Sequence, residues 1–301
     1  MQKLIHILLI LSFITVLIAC PVPRTNSTAG SEGSSSQGAD WLENTVWYFE
    51  ETAQDRTQHF LIYLEKKNGH LTWVEPLINE AGGLKTVIAA AKINLHFRNG
   101  SSTEYQTCIF PKNNYLLSLG AGLRNDAGQF VTLYKAFFTT YEQGVLYVDS
   151  DGDDGNPNSW QGIEWGTLTK IPKPDLSLQK VDLSINSLKD TIWICDRGAQ
   201  TLLERRYKAL SFKEKDNSLV IYSTTHGTST LEQALSNINY TAPKYKVKEF
   251  RSEKNYLVLD ANDYDGKPIN LYFPDSQYFG PSGMDRSYVF NSSIETWKKH
   301  Q

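Results

Sequence analysis

The acidic run DSDGDDGNPN, at residues 149–158, has residue types that could bind a metal ion. Hard cations such as Ca²⁺ take several oxygen ligands from a flexible loop, and carboxylates are available at Asp149, Asp151, Asp153 and Asp154. A twelve-residue calcium loop that starts at Asp149 needs glycine at its sixth position and glutamate at its twelfth. This chain has Asp154 and Trp160 there. The same composition is typical of a solvated hairpin loop, so a calcium site and a structural turn remain alternatives.

The three cysteines offer little reactive chemistry. Cys108 lies in YQTCIF and Cys195 in IWICD. Neither has a Cys-x-x-Cys spacing or a neighbouring histidine, which redox or nucleophilic cysteines commonly need. A disulfide between these two residues and a pair of buried thiols are both consistent with the sequence.

Enzyme signatures are missing from the sequence. It contains no Gly-x-Ser-x-Gly, His-Glu-x-x-His or phosphate-binding P-loop pattern. His59 and His96, if they lay on adjacent strands, could hold a metal, although ordinary surface or lumen histidines are the simpler interpretation. We therefore expect a protein that is not an enzyme and has no cofactor, with Ca²⁺ as the single candidate.

The N-terminus indicates where the protein is located. An apolar run from Leu4 to Ala19 follows Lys3, and the quartet Leu17-Ile18-Ala19-Cys20 closes it. This quartet resembles the lipobox of bacterial lipoproteins, and the run is shorter than a membrane-spanning helix requires. The resemblance implies that residues 1–19 are a signal peptide, cleaved between Ala19 and Cys20, and that Cys20 is acylated.

An acylated cysteine implies a tethered protein rather than a spanning one. Residues 20–40 are rich in Ser, Gly and Thr, which is typical of a flexible linker. Pro21 stands where the inner-membrane retention signal of enteric lipoproteins has aspartate. We therefore expect a lipid-anchored protein of the bacterial envelope, at the outer membrane or cell surface rather than the inner membrane. The formal net charge of −3 argues against a nucleic-acid partner.

An internal repeat organises the rest of the chain. The phrase LENTVWYF at 42–49 returns as LKDTIWIC at 188–195. Three more pairs follow in the same order: GGLKTVIAAAK (82–92) with TSTLEQALSNI (228–238), NNYLLSL (113–119) with KNYLVLD (254–260), and NDAGQFVTLY (125–134) with NDYDGKPINLY (262–272). The repeat predicts two tandem modules over 41–170 and 188–301, with 171–187 as an interdomain linker that is either a hinge or a lost strand.

Each module has the pattern of a β-protein. Short alternating runs rich in Tyr, Val, Phe and Trp, broken by Asn-Gly and Asp-Gly turns, predict an antiparallel meander. Apolar residues at helical spacing predict one short helix in each module, over 82–92 and 228–238. Ser229 and Glu232 form a capping pair at the second helix, and the alternation from Ile93 to Phe97 predicts a strand. We predict a mostly β chain of two small antiparallel barrels, each with one short helix.

The first strand of each module resembles that of lipocalin-like proteins. The residues concerned are Thr45-Val46-Trp47 and Thr191-Ile192-Trp193, each with its tryptophan on the first strand of a meander. The chain departs from lipocalins in two ways, because threonine replaces the usual glycine before the tryptophan and the helix lies among the strands. The resemblance implies a barrel architecture.

Two functions remain open from the sequence. One is a membrane-tethered binding module for a small apolar ligand or for an envelope or host macromolecule. The other is a structural or assembly lipoprotein of an outer-membrane complex that binds no ligand.

Overall fold

The structure is a computed structural model. It describes residues 38–51, 58–76, 82–100, 102–110, 114–128, 130–148, 162–197, 206–262, 267–282 and 295–301. In this part of the chain no helix is both long and apolar enough to cross a bilayer.

Barrel 1 is a closed antiparallel barrel of eight strands in sequence order. Its strands are β1 (Thr45–Glu51), β2 (His59–Lys67), β3 (His70–Glu75), β4 (Thr103–Ile109), β5 (Leu117–Arg124), β6 (Phe130–Phe138), β7 (Gln143–Val148) and β8 (Ile163–Ile171). Strand β8 pairs with β1 and closes the sheet, with Trp47 opposite Lys170. Closure leaves no free sheet edge, which protects the module from pairing with other chains.

Barrel 2 repeats this topology and is a complete eight-stranded barrel. Its strands are β9 (Ile192–Asp196), β10 (Tyr207–Lys215), β11 (Ser218–Ser223), β12 (Tyr245–Arg251), β13 (Tyr256–Asn262), β14 (Pro268–Asp275), β15 (Tyr278–Pro281) and β16 (Trp297–Lys299). Strand β16 pairs with β9 and closes the sheet. The prediction of two tandem antiparallel small barrels is confirmed.

The repeated phrase at the start of each barrel builds the same hydrogen-bonded corner. In barrel 1 the Thr45 hydroxyl donates to the Leu42 carbonyl oxygen at 2.6 Å and accepts from the Trp47 indole N–H at 2.8 Å. The matching bonds of Thr191 in barrel 2 measure 2.6 and 2.9 Å. A buried indole N–H needs such a partner. The repeat therefore positions a core tryptophan and carries no reactive chemistry.

The residue before each of these threonines has a left-handed backbone. The φ angles are +59° at Asn44 and +61° at Asp190. Asn and Asp tolerate this conformation better than other residues with a side chain. The turn lets the preceding leucine enter the barrel end, so the whole phrase acts as one local structural unit.

Aromatic and aliphatic side chains fill the interiors. The inward face of β1 carries Trp47 and Phe49, and that of β9 carries Trp193. A turn of 3-10 helix, Ala39–Leu42, covers one end of barrel 1, where the Trp41 ring meets the edge of Phe138 at 5.4 Å. We call this the proximal end of barrel 1, and the opposite end its distal end. In each barrel the proximal end is the one with the Thr–Trp corner.

The segment between the barrels contacts barrel 2 over its second half. The Val181 N–H donates to Asn255 Oδ1 at 3.2 Å, and the Gln179 N–H donates to the Pro274 carbonyl at 3.1 Å. Val181 and Leu183 are buried in the core of barrel 2. The short helix α2 (Ile185–Leu188) follows and leads into β9. Ile171 ends β8, and Leu176 packs against the outer cluster of barrel 1. The residues after β8 thus form neither a further strand nor a loose hinge, and those from 179 onward cover the proximal end of barrel 2.

Both barrels carry a helix between their third and fourth strands, as the repeat predicted. Helix α1 (Leu84–Phe97) is longer than predicted, and the strand predicted for Ile93 to Phe97 is wrong. Apolar residues at Ala90, Ile93 and Phe97 continue the helical spacing, which the short alternation concealed.

In barrel 2 the corresponding helix is α3 (Leu231–Ser236), and its cap lies one residue later than predicted. The Thr230 hydroxyl accepts from the Gln233 N–H at 3.2 Å. Ser229 instead donates to the Gln233 side-chain oxygen at 2.9 Å. Thr230 therefore satisfies the orphan N–H that the predicted Ser229–Glu232 pair was expected to satisfy.

Helix α1 lies between the two barrels. Val87, Ala90 and Ala91 pack on the outer face of β1–β3. On its other side the Phe97 ring stacks on Tyr272 of barrel 2, with ring centroids 4.6 Å apart. A helix with neighbours on two sides can bury most of its length, which explains the buried residues between Thr86 and Ile93, whereas Leu95 is 52% exposed.

Candidate functional site at the distal end of barrel 1

The distal end of barrel 1 is lined by aromatic rings from six strands. Three of these rings are nearly parallel: Trp73 and Tyr134 have centroids 5.9 Å apart, and Tyr134 and Trp165 have centroids 6.1 Å apart. The ring centroids of Phe49 and Phe60 are 4.5 Å apart, and those of Phe49 and Trp165 are 5.0 Å apart. Tyr105 meets Tyr134 edge-on at 5.5 Å. Tyr134 and Trp165 are only partly buried, so this cluster presents ring surface at the end of the barrel.

A carboxyl group lies against these rings. Glu75 ends β3 two residues after Trp73, so the two side chains share the inward face of the strand. Its Oε1 accepts a hydrogen bond from the Trp73 indole N–H at 2.9 Å. Burial among the rings raises the pKa of Glu75 to about 7, an effect that the indole hydrogen bond partly offsets. Glu75 can therefore gain or lose its proton near neutral pH.

The tyrosines beside Glu75 respond to the same surroundings. Burial is the main cause that raises the pKa of Tyr134, and the Glu75 charge adds to it. Burial and Glu75 also raise the pKa of Tyr105. Both phenols therefore stay protonated at neutral pH and can act as hydrogen-bond donors.

A second carboxyl ends β1 at the same end of the barrel. Glu51 follows Trp47 and Phe49 at alternate positions, which places it on the inward side of the strand. Its side chain is buried. The distal end of barrel 1 thus combines aromatic rings with two acidic groups.

The distal end of barrel 2 has the opposite character. Phe49 pairs with Phe60 in barrel 1, and the matching ladder position in barrel 2 pairs Cys195 with Lys208. The Glu295 carboxylate accepts from the Lys208 ammonium at 3.1 Å and from Arg197 Nε at 2.9 Å. Barrel 2 therefore contains a buried ion triad where barrel 1 has aromatic rings.

The triad is structural in character. Buried charges are tolerated when each is paired and hydrogen-bonded, and this carboxylate bridges both cations. Both cations are paired with this one carboxylate inside the barrel. The distal end of barrel 1, with its aromatic rings and acids, is therefore the candidate site.

Several residues selected from the sequence lie outside the described residues. These are Ala19 and Cys20 of the signal-peptide junction and the acidic group Asp149, Asp151, Asp153 and Asp154. Among the described residues no group of three or more His, Cys, Asp or Glu side chains is arranged to hold a metal. The calcium site and the lipidation site remain predictions.

The two other cysteines lie in different barrels. Cys108 is half-buried on β4, and Cys195 is buried in the core of barrel 2. The structure has both as thiols rather than as a disulfide. Only Cys195 is fully buried. The disulfide and the pair of thiols both remain predictions.

The histidines considered as metal ligands do not lie on adjacent strands. His59 is on β2, where its Nδ1 is 2.5 Å from the Tyr48 hydroxyl, and His96 is on α1, where its Nε2 is 2.8 Å from the Leu176 carbonyl oxygen. Burial is the main cause that lowers the pKa of His59. These contacts are structural, and the pairing that a shared metal requires is not formed.

Sequence reasoning missed Glu75 and the ion triad. One signal was present, since the stretch LTWVE puts Trp73 and Glu75 two residues apart and an acid on a core-facing position is unusual. For the triad there was no local signal, because Lys208 on β10 and Glu295, which precedes β16, are 87 residues apart in the chain.

No protein-family model, no curated protein and no solved structure matches the chain.

Proposed function

We propose that this protein is a lipoprotein of the bacterial envelope whose first barrel binds a small, largely apolar ligand at its distal end. The observation that carries the proposal is the cluster of parallel rings formed by Trp73, Tyr134 and Trp165, two of which are partly exposed. Ligand sites are typically apolar and aromatic, with a few polar groups that set orientation. Glu75 and the tyrosine hydroxyls supply those groups. The role is binding without catalysis.

The dimensions of the barrel agree with a small ligand. An eight-stranded barrel is wide enough to be filled by side chains or to hold one small molecule at its mouth. The proximal end of barrel 1 is occupied by Trp41, Trp47 and Phe138. A ligand would therefore contact the distal rings and would not pass through the barrel.

The envelope location is supported by the lipobox-like quartet and by the polar stretch after it. It is tested by metabolic labelling of cells with radioactive palmitate. We expect label in the parent protein and in Cys108→Ser, and none in Cys20→Ser, because acylation needs the sulfur of residue 20. Label that persists in Cys20→Ser, or a parent protein without label, would contradict the anchor.

Ligand binding is tested by titrating the full chain, in a non-ionic detergent, with 2-naphthol as a neutral aromatic probe. Isothermal calorimetry with a micelle blank should show one saturable site. Trp165→Ala should weaken binding about tenfold, since it removes one ring of the cluster. The control Tyr240→Ala removes an exposed ring of barrel 2 and should leave the affinity unchanged.

The alternative is an assembly lipoprotein that holds an envelope complex together and binds no ligand. The filled core and satisfied ion triad of barrel 2 favour it for that half of the chain. It predicts no saturable heat with 2-naphthol. That result, or equal binding by Trp165→Ala and the parent, would overturn the binding function of barrel 1.

A further inference from the structure

The two distal ends differ in their balance of charge. In barrel 2 the carboxylate of Glu295 faces two cations, Lys208 and Arg197. In barrel 1 the inward acids are Glu51 and Glu75. The ion pairs of barrel 1 among the described residues join Lys66 to Glu43, Lys67 to Glu104 and Lys170 to Glu142, and none of them includes Glu75.

The Glu75 carboxyl group therefore has an uncharged hydrogen-bond donor as its described partner. Its described hydrogen bond comes from the Trp73 indole, and its charge acts on two phenols, Tyr105 and Tyr134. A neutral apolar ligand placed over this group would remove water from the carboxylate and give nothing in return, which is costly. A positively charged ligand would compensate the loss.

The rings favour an organic cation over a metal ion. Aromatic rings attract ammonium groups within about 6 Å of the ring centre. The partly exposed rings of Tyr134 and Trp165 belong to the same stack as Trp73, whose indole holds Glu75. A hard metal ion would need several oxygen ligands. The described residues contain no cluster of three or more metal-binding side chains.

We propose that the ligand of barrel 1 is a small organic cation, with a substituted ammonium group beside Glu75 and its apolar substituents against the partly exposed rings of Tyr134 and Trp165. This inference rests on the proposed function of the distal end. It adds the charge of the ligand and the residue that selects it.

Protonation of Glu75 couples binding to pH. The titratable groups on which Glu75 acts are Tyr105 on β4 and Tyr134 on β6, and Glu51 ends β1 at the same end of the barrel. Both phenols remain neutral in this range because their pKa values are raised. Since burial raises the pKa of Glu75 to about 7, a cation meets a largely neutral carboxyl at pH 5.5 and a carboxylate at pH 8. The affinity for a cation should therefore rise with pH.

The test compares two probes of the same shape, choline and its neutral carbon analogue 3,3-dimethyl-1-butanol. Calorimetry on the full chain at pH 8 should show choline binding at least tenfold more tightly. In Glu75→Gln the affinity for choline should fall about ten- to hundredfold, which is the loss of a charge-assisted contact. The affinity of Glu75→Gln for choline should also no longer depend on pH. The control Glu142→Gln removes an exposed acid of a barrel 1 turn and should behave as the parent.

The outcomes separate the two proposals. Equal binding of the two probes, or binding of 2-naphthol without binding of choline, would overturn the cation while leaving the apolar site in place. No binding of any of the three probes would overturn both. A Glu75→Gln variant that binds choline as the parent does would also overturn the role of Glu75. Circular dichroism of this variant checks that a loss of affinity is not a loss of fold.

Discussion

Replacing Glu295 by glutamine is expected to lower the free energy of unfolding by about 3 to 5 kcal/mol. The carboxylate of Glu295 accepts from both Lys208 and Arg197, and the exposed fractions of the Glu295 and Lys208 side chains are only 4% and 2%. Glutamine keeps the shape but removes the charge, so two cations would remain close together in the barrel. Urea unfolding followed by circular dichroism measures the loss.

Two further variants serve as controls for Glu295→Gln. Glu214→Gln breaks the half-exposed pair with Lys189 and should cost less than about 1 kcal/mol, because water screens such pairs. Adding Lys208→Met to Glu295→Gln should recover part of the loss by removing one of the two cations. A Glu295→Gln variant as stable as Glu214→Gln would show that the triad is not a buried network.

Replacing Glu75 by glutamine is expected to stabilise the protein at pH 8 relative to the parent. Burial raises the pKa of Glu75 from 4.5 to about 7. The parent should therefore lose stability as the pH rises from 4.5 to 7, because the unfolded chain releases this proton first. The shift corresponds to about 3 kcal/mol, which water at this partly exposed carboxyl reduces to about 2 kcal/mol.

The measurement is the difference in unfolding free energy between Glu75→Gln and the parent at pH 4 and at pH 8. This difference should increase by about 2 kcal/mol in favour of the variant over that interval. Glu142→Gln, at an exposed turn, should change by less than about 0.5 kcal/mol. A difference that does not vary with pH would mean that Glu75 titrates as an exposed carboxyl.

Together the two variants distinguish Glu295, a group that stabilises the fold, from Glu75, the group that we propose to bind a ligand. Glu295 is paired and its loss weakens the fold. Glu75 lies against rings and destabilises the fold when it is charged, as expected for a residue that pairs with a ligand rather than with the protein.

The barrels could be predicted from sequence because their signals are local. Thr45 and Trp47 are two residues apart, and their contact returns at Thr191 and Trp193 with the same turn before it. Alternation along single strands and the order of the repeated phrases then indicated the meander and its duplication. Helix boundaries were less secure, since the run from Ile93 to Phe97 fits both a strand and a helix.

The candidate site could not be predicted in the same way. Trp73, Tyr134 and Trp165 come from the third, sixth and eighth strands, and they meet only because the sheet closes with a particular register. The register shift between Ala121 and Gly122 also affects which residues of β6 face inward. Such shifts follow from close backbone approach, and a side chain on Gly122 would collide with the Val131 carbonyl oxygen. Neither the closure of the sheet nor its register can be inferred from the sequence of a single strand.

Helix α1 has a consequence for how the duplicated halves can be separated. Its Arg98 guanidinium donates to the Pro281 carbonyl oxygen, and its Ile93 lies where a side chain on Gly280 would collide. A cut between the repeats would strip this helix of its second neighbour and expose apolar surface to water. The two barrels therefore share one helix, and we expect either barrel expressed alone to be less stable than it is in the full chain.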